Sequence, residues 1–150
     1  MLVREFRLKD LERVYKIEKE SFDLPYDINI LKELYNIGAG FLVGVENDKV
    51  IGYIIFWIKD EFLGHIISIA VSEKYQNNGV GRKLLSKAIE LFIAFQINKI
   101  KLEVKATDVK AINFYKKAGF VETNFLHSYY GKGVDGIRML LDLQYAPKKN

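Results

Sequence analysis

Apolar positions along this chain recur with two periods, and the points where the period changes mark the ends of elements. Leu2 to Phe6 reads as a short first strand. Asp10 then stands where a helix cap belongs, ahead of Leu11, Val14 and Ile17 on one helical side. A second short helix is predicted over Ile30 to Ile37, ending near Gly38. Gly40 to Glu46 and Lys49 to Ile58 read as strands joined by Asn47-Asp48, a hairpin signal. In the second of them Ile54, Phe56 and Ile58 alternate with Ile55, Trp57 and Lys59, so both faces are mostly apolar. That predicts a central strand covered on both sides.

His65 to Val71 is the next predicted strand, and a long helix carrying Leu84, Leu85, Ala88, Leu91 and Phe92 follows to about Ile97. Lys99 to Val104 reads as a strand. Thr107 or Asp108 can cap a helix with Ala111, Ile112, Tyr115 and Ala118 at helical spacing, and Gly119 fits the position just past its end. Phe120 to Phe125 and Ile137 to Leu143 complete the strands, separated by Tyr129-Tyr130-Gly131-Lys132-Gly133. The order βααβββαβαββ predicts a mixed α/β fold, a largely antiparallel central sheet flanked by helices. The sequence has no internal repeat, low-complexity segment or linker, so its 150 residues are expected to form one domain, 1–150.

Composition narrows the chemistry. Hydrophobic residues make up 49% and charged residues 28%, a balance that folds rather than stays disordered. No apolar run approaches the roughly 20 residues of a membrane helix. The N-terminus enters a strand pattern at once, without a signal-peptide apolar region, and the cytoplasm is the expected location. The absence of cysteine excludes disulfides, thiolate metal ligation and a cysteine acyl-enzyme. With two histidines, a histidine metal cluster is disfavoured and no metal is expected.

The most informative stretch is Tyr75 to Leu85, Y-Q-N-N-G-V-G-R-K-L-L, where the strand Ile66–Val71 feeds a helix. Gly79 and Gly81 remove two Cβ atoms from the turn. Backbone N–H groups there can converge on an anion, helped by the positive end of the helix dipole, and Arg82 adds a full charge. A P-loop pattern is absent, and Leu84 occupies the third glycine position of a dinucleotide fingerprint. The remaining pattern, [QR]-x-x-G-x-[GA], reads Gln76-Asn77-Asn78-Gly79-Val80-Gly81 and resembles the acetyl-coenzyme A pyrophosphate loop of the GNAT N-acetyltransferase superfamily. Downstream, Lys101-Leu102-Glu103-Val104 and then Ala111-Ile112-Asn113-Phe114-Tyr115-Lys116-Lys117-Ala118-Gly119-Phe120 resemble the L-E-V…A-I-x-[LF]-Y-x-x-x-G-F signature of the branch that acetylates the N-terminal amine of ribosomal and other proteins. Gly64 to Val71 is similar to the strand before the cofactor loop in that branch. The matches run from about His65 to Asp135. Upstream, Ser21-Phe22 and Pro25-Tyr26 match loosely.

The resemblance implies a GNAT fold and direct acetyl transfer from acetyl-coenzyme A, without a metal, to an amine. A protein N-terminal α-amine is the preferred acceptor, so the expected partner is a protein or peptide N-terminus. A lysine, a small-molecule amine, or a non-catalytic coenzyme A-binding regulatory module are the alternatives. It implies a base at Glu103, acting through a water, with partial burial raising its pKa to a useful value. It implies an acid at Tyr115 for the leaving thiolate, aided by geometry or a lowered phenol pKa. Ile69, Ala70 and Val71 are expected to hold the pantetheine and thioester through their backbone, with the Ile69 or Ala70 N–H as oxyanion donor. Gln76, Asn77, Asn78, Gly79, Val80, Gly81 and Arg82 are expected at the pyrophosphate, with Asn113 reaching coenzyme A from the Tyr115 helix. Tyr26, Tyr129, Tyr130 and Asp135 are the substrate-site candidates.

Two departures matter: Asp108 stands where many relatives carry a cofactor-touching Asn, and its carboxylate would repel a phosphate. Asn77-Asn78 stand where relatives often carry Arg or Lys, which leaves anion binding to backbone N–H groups and Arg82. His65 is a second base route on its ordinary titration range, but a histidine at a strand entrance is more often structural, and it is left outside the catalytic set. His127 reads as a surface residue. The formal charge of +4, with a pI near 9.1 and a terminal Lys148-Lys149 cluster, suits either nucleic acid or the phosphates of coenzyme A. The sequence lacks a recognisable nucleic-acid-binding signature, so nucleic acid is disfavoured as a partner, as is a membrane.

Overall fold

The computed structural model describes residues 1–58 and 63–144; Lys148-Lys149 lies outside them. Its elements are β1 (Leu2–Glu5), α1 (Leu11–Ser21), α2 (Ile28–Asn36), β2 (Gly40–Glu46), β3 (Lys49–Ile58), β4 (Leu63–Val71), α3 (Val80–Ala94), β5 (Lys99–Lys105), α4 (Val109–Lys117), β6 (Val121–Leu126) and β7 (Gly136–Asp142). Short 3₁₀ turns, Leu8–Asp10 and Glu73–Tyr75, precede α1 and follow β4. The strand order is β1-β2-β3-β4-β5-β7-β6. The pairs β1/β2, β2/β3, β5/β7 and β6/β7 are antiparallel, and β4/β5 is parallel. This is the mixed, mostly antiparallel sheet that the element order predicts. Among the described residues no helix is long and apolar enough to cross a membrane.

The chain gathers into two compact units, Met1–Trp57 with Ile66–Phe95, and Ile58–His65 with Gln96–Asn150. In the first, Val14 and Ile17 of α1 and Leu31 of α2 form one core cluster with Phe41 and Val43 of β2 and Tyr53 and Ile55 of β3. Phe6 stacks on Phe41 with ring centroids 4.0 Å apart. Phe56, from the alternate positions of β3, meets Phe92 of α3 edge-on. Val50 to Phe56 are all buried, as expected of a strand covered on both faces. Asn47 and Asp48 both take positive φ (50° and 63°), the conformation that lets a two-residue turn follow the twist of its strands.

Asp10 occupies the expected place before α1, but its side chain does not cap it. The 3₁₀ turn runs straight into α1, and the carboxylate instead takes two bonds from the Arg4 guanidinium (2.8 and 3.0 Å) and one from the Arg7 N–H (2.8 Å). It therefore ties β1 to the start of the helix.

In the second unit, Ile100, Leu102 and Val104 of β5 are buried and alternate with Lys101, Glu103 and Lys105, which are less so. Asp108 caps α4, accepting the Ala111 N–H at 3.1 Å, and Gly119 follows the helix at φ 104°. Tyr115 and Phe120 pack edge to face. The α3 helix stops at Ala94, earlier than the spacing of Ile93 and Ile97 suggests, because Gln96 turns left-handed at φ 62°.

One glycine governs how α3 meets its sheet. Gly52 pairs with Gly44 across β2/β3. A Cβ at Gly52 would lie 3.1 Å from the Ala70 carbonyl, 3.2 Å from Leu84 Cδ1 and 3.3 Å from Val80 Cγ1. The first turn of α3 approaches this closely because no side chain intervenes. Gly52→Val is expected to lower stability by about 1–3 kcal/mol, the usual cost of overpacking, read as a lower urea midpoint. An unchanged midpoint would show that α3 has slack at this contact.

Candidate functional site

The glycine turn belongs to the first unit and is held from both sides. At the end of β4 the Ser72 N–H donates to the Ile51 carbonyl at 2.8 Å. The Gln76 side-chain amide donates to the Val71 carbonyl at 3.0 Å, so this residue staples the turn to the strand. Asn77 and Gly79 take positive φ, 64° and 81°. Asn78, exposed, donates from Nδ2 to the Gln76 carbonyl at 3.3 Å. Gly79 is the N-cap of α3; no side chain caps that terminus, and its first turn holds no acidic residue. A Cβ on Gly79 would meet nothing within 4 Å, so the turn opens onto free space. Val80 is buried, which leaves its backbone as the part able to face a ligand, and Arg82 is exposed. Backbone donors, a helix dipole, the exposed Arg82 and a first turn without an acidic residue fit a phosphate-bearing substrate such as coenzyme A. In the strand before it, Ala70 is buried, while Ile69 and Val71 are half-buried.

The second unit builds its polar centre around Glu103, whose side chain is 5% exposed. The β4/β5 pairing sets His65 opposite Lys101, and the β5/β7 pairing sets Glu103 opposite Arg138. His65 Nε2 lies 2.8 Å from Glu103 Oε1, Arg138 Nε donates to Oε2 at 3.0 Å, and Lys101 Nζ reaches Oε2 at 3.4 Å. Burial pushes the Glu103 carboxyl up, as the sequence suggests. The bonds from His65 and Arg138 and the charge on Lys101 outweigh it and hold the pKa at about 2. The expectation of a raised pKa is thus overturned: Glu103 is an ionised carboxylate at neutral pH and a poor proton acceptor. A carboxylate can only accept hydrogen bonds, so Nε2 of His65 carries the hydrogen of that contact. The His65 side chain is 24% exposed and is the more accessible member of the pair. The sequence reading set His65 aside, whereas the structure binds it directly to Glu103.

Tyr115 of α4 is buried. Burial first, then Asp108 and Tyr130, push its phenol well above the ordinary value of 10. A lowered phenol pKa, one of the two aids considered for it as an acid, is therefore overturned. The hydroxyl therefore stays protonated at neutral pH. Asn113 lies exposed on the same helix. Tyr129 and Tyr130 meet edge-on at 4.9 Å in the β6–β7 loop. Gly136 makes room for them, since a Cβ there would lie 3.1 Å from Tyr130 Cε2 and 3.2 Å from Tyr129 Cβ. Partial burial and the Glu103 charge raise the Tyr129 phenol, against the lowering effect of Arg138. Asp135 shapes this loop: its Oδ1 accepts the Ser128 N–H at 2.9 Å and lies 3.4 Å from His127, and its carbonyl accepts the Ala106 N–H. His127 is exposed, as expected. Tyr26 belongs to the first unit, on the turn between α1 and α2, 38% exposed, with its N–H bonded to Glu18.

The sequence reading brings forward Glu103, Tyr115 and the tyrosine pair, all in this second unit, and the glycine turn and Tyr26 in the first. It misses the partnership of His65 with Glu103, which rests on strand register, and a buried cluster at Glu18. Among the described residues no three acidic or histidine side chains gather as a metal site.

A sequence profile of the acetyltransferase (GNAT) family matches residues 9–120. An uncharacterised N-acetyltransferase of Methanocaldococcus jannaschii is 36% identical over 143 residues, covering 93% of this chain and 90% of its own. The N-alpha-acetyltransferase of Sulfurisphaera tokodaii is 32% identical over 157 residues, covering 94% of this chain and 92% of its own. Among solved structures, Ard1 from Thermoplasma volcanium gives a TM-score of 0.91 at 30% identity, over 95% of this chain and 97% of that one.

The carboxylate network predicts an acid-sensitive contribution to stability. Because the folded pKa of Glu103, about 2, lies below its ordinary 4.5, the contribution is complete above about pH 4.5 and fades as pH falls toward about 2. Wild type should exceed Glu103→Gln in stability by a margin that is constant near neutrality and shrinks through that window in acid-denaturation curves. A margin that stays constant down to pH 2 would mean the carboxylate is not held ionised.

Proposed function

Because this chain belongs to the acetyltransferase (GNAT) family, an acetyl-coenzyme A-dependent class, we propose that it acetylates the N-terminal α-amine of a protein by direct transfer. The observation that carries the acceptor reading is the pairing of an accessible histidine with a buried, ionised glutamate. An α-amine with a pKa of about 7.7–8.0 asks less of any base at neutral pH than a lysine at about 10.4. Similarity to an N-alpha-acetyltransferase over nearly the whole chain supports the same acceptor. The cytoplasm, where acetyl-coenzyme A and newly made N-termini are both present, is the proposed setting.

In this reading the α3 terminus at Gly79–Arg82 takes the pyrophosphate, and the backbone of Ile69 to Val71 takes the pantetheine and thioester. The Ile69 or Ala70 N–H receives the oxyanion as the amine nitrogen bonds to the carbonyl carbon. His65, with Nε2 committed to Glu103, accepts the amine proton at Nδ1, and the Glu103 charge stabilises the imidazolium that forms. The base role first expected of Glu103 thus passes to His65, with Glu103 orienting it. As the carbon–sulfur bond breaks, the Tyr115 hydroxyl donates a hydrogen bond to the departing thiolate. Tyr26, Tyr129 and Tyr130 offer flat walls to the acceptor, and Asp135 holds the shape of the tyrosine loop.

Labelled acetyl-coenzyme A and peptides beginning with Ala, Ser or Met test the reading. Label is expected on peptides with a free α-amine, and little or none once that amine is blocked. Efficient labelling of blocked peptides at an internal lysine would replace the α-amine with lysine as acceptor. His65→Gln is expected to lower kcat by about 10²–10⁴-fold, the size of one general base. Tyr115→Phe should cost about 10–10²-fold, the size of one hydrogen bond to a charged group. Tyr130→Ala should raise the peptide KM far more than the acetyl-coenzyme A KM.

A further inference from the structure

A buried acid lies in the first unit, in none of the roles above. Glu18 of α1 is 2% exposed. Its Oε1 accepts the Tyr53 hydroxyl in a short bond and the Ser68 hydroxyl at 3.0 Å. Its Oε2 accepts the Tyr26 backbone N–H at 3.1 Å. These three donors satisfy both oxygens of the buried carboxyl group. Burial and the neighbouring Glu18 keep the Tyr53 phenol protonated and donating.

The bonds of Glu18 close a turn. Between the end of α1 at Ser21 and the start of α2 at Ile28, the chain has no regular structure. The main-chain carbonyl of Glu18 accepts the Phe22 N–H at 3.1 Å, and its side chain accepts the Tyr26 N–H, so one residue pins both ends of the turn. Between them Phe22, Leu24 and Tyr26 are exposed to 37%, 67% and 38%, an apolar rim on the turn. The other oxygen of the same carboxyl group is anchored to Ser68, the residue directly before Ile69 in β4.

We infer that Glu18 is a positioning residue for the acceptor: it fixes the Phe22–Tyr26 turn relative to β4, so that the exposed side chains of the turn meet the first residues of the peptide in one geometry. This rests on the α-amine reading above for the nature of the acceptor. The bond to Tyr26 itself does not.

Glu18→Gln tests it. The amide preserves volume and one acceptor oxygen for Tyr53 and Ser68, and it turns a second donor toward the Tyr26 N–H. Amide hydrogen exchange at Tyr26, measured on the protein alone, should be protected in wild type and at least about tenfold faster in the variant, the scale of one lost hydrogen bond. The peptide KM should rise by about tenfold with kcat and the acetyl-coenzyme A KM nearly unchanged. Tyr53→Phe, which keeps the Glu18–Tyr26 bond, should leave the peptide KM close to wild type. Unprotected Tyr26 in wild type overturns the inference even where Glu18→Gln fails to fold. So does a peptide KM that Glu18→Gln leaves unchanged, or that Tyr53→Phe raises equally. A wild type that leaves N-terminal peptides unmodified sinks the α-amine reading and, with it, the acceptor role of Glu18, while the exchange result still decides the anchor.

Discussion

A carboxylate that is almost wholly buried yet stays ionised must be encircled by donors, and in the second unit that requirement falls on Glu103. Three strands supply them: His65 from β4, Lys101 from β5 itself and Arg138 from β7. Each reaches the carboxylate because of register, since His65 faces Lys101 and Arg138 faces Glu103. A slip of one residue in either pairing would turn those side chains to the other face and leave a buried charge without partners. The chemistry and the sheet are thus specified by the same contacts. The bonds from His65 and Arg138 and the charge on Lys101 hold Glu103 ionised at neutral pH.

The first unit answers to a different constraint, the close approach of α3 to the sheet. Gly44 and Gly52 let Val80 and Leu84 seat against β2 and β3. Val80 is the first residue of α3, so the packing that buries its side chain also aims the helix terminus. The left-handed Gly79 then turns the chain into that terminus without placing a side chain in front of it. In the proposed reading an anion there is held by backbone donors and needs little specific side-chain chemistry, which is compatible with Asn77-Asn78 in the turn.

Much of this was legible in the sequence. β2 and β3 have the boundaries the alternation predicts, because Asn47-Asp48 is a turn signal with a steric cause. The backbone of the glycine turn was legible because it depends on residues adjacent in the chain. The C-terminal end of α3 was overrun because Ile93 and Ile97 keep helical spacing through Gln96, whose left-handed backbone has no sequence marker. Asp10 was read as a cap because position alone suggests one, and the pull of Arg4 from β1 is non-local. The acidity of Glu103 and its bond to His65 were hidden for the same reason. Burial could be inferred from an apolar strand, but the three donors that reverse its effect arrive through strand pairing. Glu18, embedded in an ordinary amphipathic helix, gave no signal that its carboxylate points inward.

The central claim is that Glu103 acts through His65, and a double-mutant cycle on kcat tests it most directly. His65→Gln, Glu103→Gln and the double variant are compared with wild type on one N-terminal peptide at saturating acetyl-coenzyme A, with each variant's fold verified. Coupled residues give a double variant no slower than His65→Gln alone, because removing the base leaves the glutamate nothing to orient. Losses that multiply would show two independent contributions and contradict the account.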